Sequence, residues 1–519
     1  LSALGLAAVL TALSFLYPPF FPCAWVAWVP FFRSIEQLSD WRKALWAGWL
    51  TGAVATAIGF YWLTYTIQVF GGFSLPPTAL IFILFVIYSG LPFAIMAALV
   101  KVCGFGPLFL FPALFWVALE YSFPYLFPWH LAGSQSAFLS LIQTADLLGP
   151  HGTSLQIVWC NTLLHAIFVS DLRRRSLFVA AAAFGVTLAA ALFYGRSRIA
   201  EIDRRTRSAP TLEIAAVQGS VDIERKWAVA YLASNLRSYL DLTAAIEQAD
   251  LVLWPESAVE AWLPDEMPAL SSEILPALPR GAFFIFGARS FVGVPGTPDL
   301  KAYNSAFLTD SKGRVLGRYH KQVLLAFGEY LPFGALLSRV PGVPPLGEGF
   351  SAGVGPITLD LPPGVRIGPL ICYEDLMPNL ARRLVAEKEA NLLVNLTNDA
   401  WFGDGAAPWQ HARLAQWRAI ETRRTLIRVT NTGLTSLIDA SGRLTRTAPL
   451  FSPQLLRAPA AILAGQTFYV RYGDWFPWLI TSICLAILLR RSLSAARSGK
   501  KSKRWSRADL SVNLGSSTR

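Results

Sequence analysis

The first 170 residues carry only eight charged side chains: Arg33, Glu36, Asp40, Arg42, Lys43, Lys101, Glu120 and Asp146. Soluble chains are about 25 % Asp, Glu, Lys and Arg, so a stretch this poor in charge has nothing with which to cover a wet surface. Over all 519 residues the charged share is 15 % and the hydrophobic share 54 %, with most of the charge beyond Asp171. The division predicts a membrane domain followed by a soluble one.

A spanning helix needs roughly 20 apolar residues. Eight candidates lie at about 2–17, 20–33, 44–69, 78–100, 106–127, 152–170, 177–195 and 475–489. No small-residue cleavage site cleanly follows the first, so a retained helix is expected there, not a signal peptide. Glu120 falls inside the fifth; a charge at that depth faces a protein interior or a wet cavity. The basic segments Arg33–Lys43, Lys101, "DLRRR" and the tail "RRSLSAARSGKKSKRWSR" each follow an even-numbered span. By the positive-inside bias both termini are cytoplasmic, and the region between spans seven and eight lies outside. The net charge of +12 belongs to that bias and not to nucleic-acid binding. The expected domains are a bundle over 1–196, a soluble domain over 211–470, a last span over 475–489 and a disordered basic tail over 490–519.

In the middle region the apolar runs shorten. "TLEIAAVQG", "LVLWPES", "GAFFIFGARS", "RIGPLICYE" and "NLLVNLTND" read as buried strands. "AFLTDSKGRVLGRYHK" reads as a hairpin turning at Ser311–Gly313, and "IRVTNTGLTSLIDASGRLT" as another turning near Ala440–Gly442. Helical patterns at 228–248 and 408–424 alternate with them, which argues for an α/β sandwich.

Four of the five cysteines, Cys23, Cys103, Cys160 and Cys484, sit in or beside apolar spans. Cys372 alone lies in the soluble region, with no partner at disulfide or zinc spacing. It ends "GPLIC", as Glu256 ends "LVLWPES" and Lys321 ends the first hairpin. Open α/β sheets present their chemistry at strand ends. A thiol with an ordinary pKa of about 8.5 becomes a nucleophile when a carboxylate takes its proton and an ammonium stabilises the anion. The N–H of Tyr373 would add a second oxyanion donor. Taken singly, each residue has a plainer explanation: an inert core cysteine, a helix N-cap and a solvated strand end.

The order of the segments changes that weighing. "WPES", "YHKQVLLAFGEYLPF", "ICYED" and "NLTNDAWFG" together resemble the nitrilase superfamily, and most closely its membrane-bound branch, the apolipoprotein N-acyltransferases. The resemblance implies a nitrilase-like αββα sandwich inserted between a seven-helix transmembrane bundle and a final transmembrane helix. It also implies a Glu256–Lys321–Cys372 triad of base, oxyanion-side lysine and nucleophile. Glu329, Tyr373, Glu374 and Trp227 match further functional positions; Trp227 reads equally well as an anchor at the membrane interface. Ala326 and Ser220 depart from the family pattern, which has proline at the first and Asn or Asp at the second.

The implied substrates are a phospholipid acyl donor and a diacylated apolipoprotein acceptor, handled in turn at one site in a bacterial inner membrane, with the catalytic domain facing the periplasm. ATP is not expected there, so the donor must arrive activated, as an ester is. No dissociable cofactor is implied. The alternative is a membrane-tethered amidohydrolase of the same superfamily, with water as acceptor. His411 has no HxxxH partner and reads as structural; no metal is assigned. His130 reads as a packed loop residue.

Overall fold

A computed structural model describes residues 2–169, 174–294, 296, 297, 299–326, 328–330 and 349–512. The N-terminal half is helical, but proline and close packing break it more often than hydropathy suggests. The expected span at 20–33 is a 3-10 helix, Pro18–Trp25, followed by a short helix, Val29–Gln37. Pro18, Pro19 and Pro22 lack the N–H an α-helix needs. The expected span at 44–69 is two helices, Trp41–Gly59 and Leu63–Gly71, bent by 60° at the break. The expected span at 106–127 is a 3-10 turn, Pro107–Phe109, followed by the twelve-residue α-helix Phe111–Ser122. Among the described residues three helices are long and apolar enough to cross a membrane, Leu75–Cys103, Arg175–Ser208 and Trp475–Ser494, or four if the bent pair counts as one. The tail expected to be disordered instead continues the last helix as far as Val512. Its Ala, Leu, Lys and Arg are good helix formers, so nothing stops the helix where the apolar stretch ends. Residues 513–519 of that tail lie outside the described residues.

The helix Arg174–Ser208 runs on past its apolar part, and only Ala209 and Pro210 separate it from the first strand. One sheet holds β1 (Thr211–Gln218), β2 (Leu251–Leu253), β3 (Val259–Pro264), β4 (Phe283–Val292), β5 (Lys301–Thr309) and β6 (Val315–His320). The other holds β7 (Leu359–Leu361), β8 (Val365–Ile371), β9 (Leu392–Thr397), β10 (Leu426–Thr430), β11 (Ser436–Ile438) and β12 (Leu444–Thr447). The last strand, β13 (Gln454–Ala461), returns to the edge of the first sheet, antiparallel to β1. The inner strands pair in parallel, β1 with β2, β2 with β4, and β9 with both β8 and β10. Both expected hairpins form, β5 with β6 and β11 with β12.

Side-chain alternation builds the layers. Ile214 and Ala216 of β1 face Ile367 of β8 and Leu396 of β9 across the gap between the sheets. Their neighbours Ala215 and Val217 turn outward, to Tyr239 on the helix Leu232–Ala244. Leu370, Leu393 and Leu426 of the second sheet turn to the helices Pro378–Lys388 and Ala407–Thr422. The result is the expected α/β sandwich of two sheets between helices.

The two halves are fastened by a buried arginine. Arg423 takes a left-handed φ of +53° at the end of the helix Ala407–Thr422. Its Nε and Nη2 donate to Asp146 Oδ2 at 2.9 and 2.8 Å, and its Nη1 to Gln143 Oε1 at 2.6 Å. Asp146 also accepts from Tyr194 and Arg198 on the long helix. Removing one partner of such a buried network leaves desolvated charge behind. Arg423→Ala is expected to lower unfolding stability by about 3 kcal/mol, with Asp146 still held by Arg198. Thermal unfolding of the detergent-solubilised protein checks this, with Arg457→Ala, at an exposed position, as the control expected to change little.

Candidate active site

Three strand ends and one loop converge. After β2 the chain turns through Pro255, Glu256 and Ser257, and Ser257 has a left-handed φ of +51°. The turn lies against Gly287 of β4. A Cβ at Gly287 would stand 2.6 Å from Glu256 Cα and 2.7 Å from Pro255 O, so no side chain fits there. Lys321 follows β6, its N–H donating to Asn304 O at 2.9 Å. Cys372 follows β8 at a φ of +52°, and begins a 3-10 turn, Cys372–Leu376. A left-handed non-glycine residue costs about 1–2 kcal/mol, and the strain sits on the nucleophile candidate.

The side chains meet. Lys321 Nζ lies 2.8 Å from Glu329 Oε2 and 3.7 Å from Glu256 Oε1. Asn304 Nδ2 donates to both acids, at 2.8 Å to Glu256 Oε1 and 2.9 Å to Glu329 Oε1. Leu325 N–H gives Glu329 Oε2 a further donor at 2.8 Å. Glu256 Oε2 is buried and has no hydrogen-bond partner among the described residues. The Cys372 thiol is within interaction range of Glu256, Lys321 and Thr397. The free carboxylate oxygen and the thiol thus belong to one cluster.

Burial dominates the electrostatics. It pushes the Cys372 thiol well up, Glu256 pushes the same way, and Lys321 only partly offsets both. Glu256 is also raised, by burial first, against the pull of Lys321. Burial disfavours the Lys321 ammonium, but Glu329 and Glu256 outweigh it and hold the proton on. The resting thiol is therefore neutral beside a carboxylate of raised proton affinity.

Glu374 acts as a brace. Its Oε1 accepts from the N–H groups of Gln322 and Val323 at 2.6 and 3.0 Å; its Oε2 accepts from Ile371 N–H at 2.8 Å and Tyr319 Oη at 2.9 Å. It ties the loop after Lys321 to the residue before Cys372. Burial raises its pKa to about 7 against those donors. Tyr373 points the other way, its hydroxyl donating to Leu126 O at 2.7 Å in the helical half. The Trp227 ring lies 4.2 Å from the Arg289 guanidinium, and its backbone N–H donates to Glu260 Oε2 at 2.9 Å. The adjacent Lys226 donates to Ser257 O at 3.0 Å, next to Glu256.

Two features escaped the sequence reading. Asn304 has a visible signal, a polar amide in the middle of a strand, where Asn is depleted. The other is a buried charge network under the Cys372 turn. His411 Nε2 meets Asp375 Oδ1 at 2.7 Å and its Nδ1 meets Asp399 Oδ1 at 2.9 Å, while Arg428 donates to both acids. Burial works against the Asp399 carboxylate, yet Arg428 and His411 outweigh it and hold its pKa well below the usual range. These bonds make His411 an anchor for the turn. The signal was Arg428 inside the apolar run "LIRVT".

A cavity of about 1060 Å³, open solvent at its mouth included, reaches Cys372. Thr11, Phe15, Ala55, Gly59 and Phe93 of the helical half line one side; Tyr373, Phe402 and Leu414 of the sandwich line the other. The candidate nucleophile thus opens on an apolar space shared by both halves.

Two outcomes test this arrangement. Because the Glu256 carboxyl is raised, the base is lost as pH falls through its folded pKa. The acid limb of kcat/KM should therefore have a midpoint above the ordinary glutamate value of about 4.3. Glu374→Gln replaces an acceptor oxygen with an NH₂ facing N–H donors. A cost of about 1–3 kcal/mol to the local structure is expected, with kcat falling more than substrate affinity; thermal unfolding and steady-state kinetics separate the two effects.

The sequence matches two family models: "Apolipoprotein N-acyltransferase N-terminal domain" over residues 7–163 and "Carbon-nitrogen hydrolase" over residues 213–460. An apolipoprotein N-acyltransferase of Geobacter metallireducens is 35 % identical over 511 residues, 94 % of each chain. One of Bdellovibrio bacteriovorus is 32 % identical over 509 residues, covering 93 % of this chain and 92 % of that protein. One of Pseudomonas syringae pv. tomato is 32 % identical over 508 residues, covering 95 % and 96 %. Similarity that runs through both halves and carries the same name in all three relatives makes this chain a member of the apolipoprotein N-acyltransferase family, within the carbon-nitrogen hydrolases.

Proposed function

We propose that this protein moves an acyl chain from a phospholipid to the N-terminal amine of the diacylglyceryl-cysteine of an apolipoprotein, through a thioester on Cys372. The observation that carries this reading is the apolar cavity ending at Cys372, walled in part by the helical half. A site for water-soluble amides has no need of such a wall. Lipid tails do, since each CH₂ drawn into water costs about 0.8 kcal/mol.

In the first half-reaction Glu256 takes the proton of the Cys372 thiol as the sulfur attacks the ester carbonyl. Lys321 and the N–H of Tyr373 hold the developing oxyanion. The C–O bond breaks, Glu256 returns the proton to the departing glycerol oxygen, and a lysophospholipid leaves. In the second half the acceptor amine attacks the thioester while Glu256 takes a proton from it. The C–S bond breaks, an amide forms and Cys372 is reprotonated. Asn304 and Glu329 hold Glu256 and Lys321 in register. The resting thiol, kept neutral by burial, reacts only when a carbonyl is present to accept the sulfur's electrons.

The basic loops support a cytoplasmic location for both termini and a periplasmic catalytic domain in the inner membrane. The expected domain limits, 1–196, 211–470, 475–489 and 490–519, go with that topology, except that the long helix Arg174–Ser208 blurs the first boundary.

Intact mass after incubation with phospholipid alone tests the reading. One acyl increment is expected on the wild-type chain and none on Cys372→Ala. Adding a diacylglyceryl peptide should discharge that increment onto the peptide amine. Free fatty acid released at the same rate without the peptide would mean that water is the acceptor, as in an amidohydrolase.

A further inference from the structure

A second cluster of polar groups lies behind the cavity wall, in the helical half. Glu120, 3 % exposed, stands near the end of the helix Phe111–Ser122. Its Oε1 is fully engaged, accepting from Trp116 Nε1 at 3.1 Å, Leu131 N–H at 2.6 Å and Ser154 Oγ at 3.0 Å. Its Oε2 faces two imidazoles instead. His151 Nδ1 is 3.1 Å away and His130 Nδ1 is 3.7 Å away. The three atoms lie within 4.8 Å of one another. The rings are close and nearly perpendicular, with centroids 5.0 Å apart at 82°.

Hydrogen bonding accounts for only part of this. The His151 contact is a normal hydrogen bond, but 3.7 Å is too long for one. His130 Nδ1 is buried and has no hydrogen-bond partner among the described residues. The two histidines are the only ion-pair partners of Glu120 among the described residues. A buried carboxylate oxygen and two converging ring nitrogens, one of them unsatisfied, have the donor set of a metal site. Tetrahedral ligands at about 2.0–2.1 Å from a zinc ion stand about 3.3 Å apart, and the two measured separations bracket that value.

We propose that Glu120, His130 and His151 bind a divalent transition-metal ion of the zinc class. The carboxylate and two neutral imidazoles supply three ligands. A water supplies the fourth, from the small cavity lined by His130, Pro150 and Arg418. The hydrogen bonds to Oε1 orient the carboxylate, the role that outer partners play at metal sites. None of the three ligands lines the reaction cavity, so the ion is structural. It staples the end of one helix and the start of another, His151–Val169, to the loop between them. That loop supplies Phe127, Pro128 and Trp129 to the reaction cavity, and Leu126 O to the Tyr373 hydroxyl.

The test uses the full chain in detergent, stripped with chelator, dialysed, and exposed to Zn²⁺ or Co²⁺ alone. About one equivalent of zinc should co-elute with the protein, and its thermal midpoint should rise with Zn²⁺ and fall again with chelator. Co²⁺ should give the intense visible bands of a four-coordinate site. His130→Ala removes a nitrogen that holds no hydrogen bond, so its fold should survive while affinity drops at least about tenfold. His151→Ala should do the same to binding. Less than roughly 0.1 equivalent on the wild-type chain overturns the proposal, as does stoichiometric binding that survives both substitutions. Acyl transfer is not part of the readout, so the outcome does not depend on the proposed reaction.

Discussion

A buried ammonium between two buried carboxylates is the constraint on which the rest depends. Lys321 is 2 % exposed, and neither it nor the acids could stay charged at that depth without the others. Glu329 and Glu256 carry two negative charges against one positive, so the cluster has no room for a third anion. Burial first, and the neighbouring carboxylate second, keeps the thiol of Cys372 neutral and draws the Glu256 carboxyl toward protonation. Asn304 keeps the acids apart by donating to one oxygen of each. Glu256 Oε2 is buried and has no hydrogen-bond partner among the described residues, which leaves the cluster one free acceptor.

The sandwich exists to bring these groups together. Glu256, Lys321 and Cys372 leave different strands, and two of their turns contain left-handed residues, Ser257 and Cys372. Such turns need fastening. Gly287 lets one backbone sit directly on another, Glu374 ties the Lys321 loop to β8, and the Asp375–His411–Asp399–Arg428 network pins the turn from below. Tyr373 and Arg423 carry the fastening into the helical half, and the apolar cavity lies along that seam.

Strands of short apolar runs end visibly, in "WPES", "HKQ" and "ICYE", but only the order of these segments and the family resemblance joined their residues into one cluster. The hairpins were legible from their turn residues. Asn304 and Arg428 were not, since each looks like an interruption of a strand until its partner, distant in sequence, is known. The helical half was read least well. A hydropathy window averages over prolines and bends, so it joined Trp41–Gly59 to the helix after it and drew a span through Pro18–Trp25. In the basic tail like charges suggest disorder, while the same residues favour a helix once one is running. Trp227 was noticed for its neighbours in the chain; its ring lies against Arg289.

The helix Arg174–Ser208 leads from the apolar half straight into β1. At about 1.5 Å per residue its 35 residues make a rod of roughly 50 Å. Gly195 presses so closely on the backbone of Ser140 that a methyl group could not enter, and Arg443 grips Asp203 from the sandwich at 2.6 Å. A rod clamped at two levels does not swivel. The sandwich is thus mounted like an instrument on a fixed post, and any molecule that reacts there must bring its reacting atoms to one set elevation.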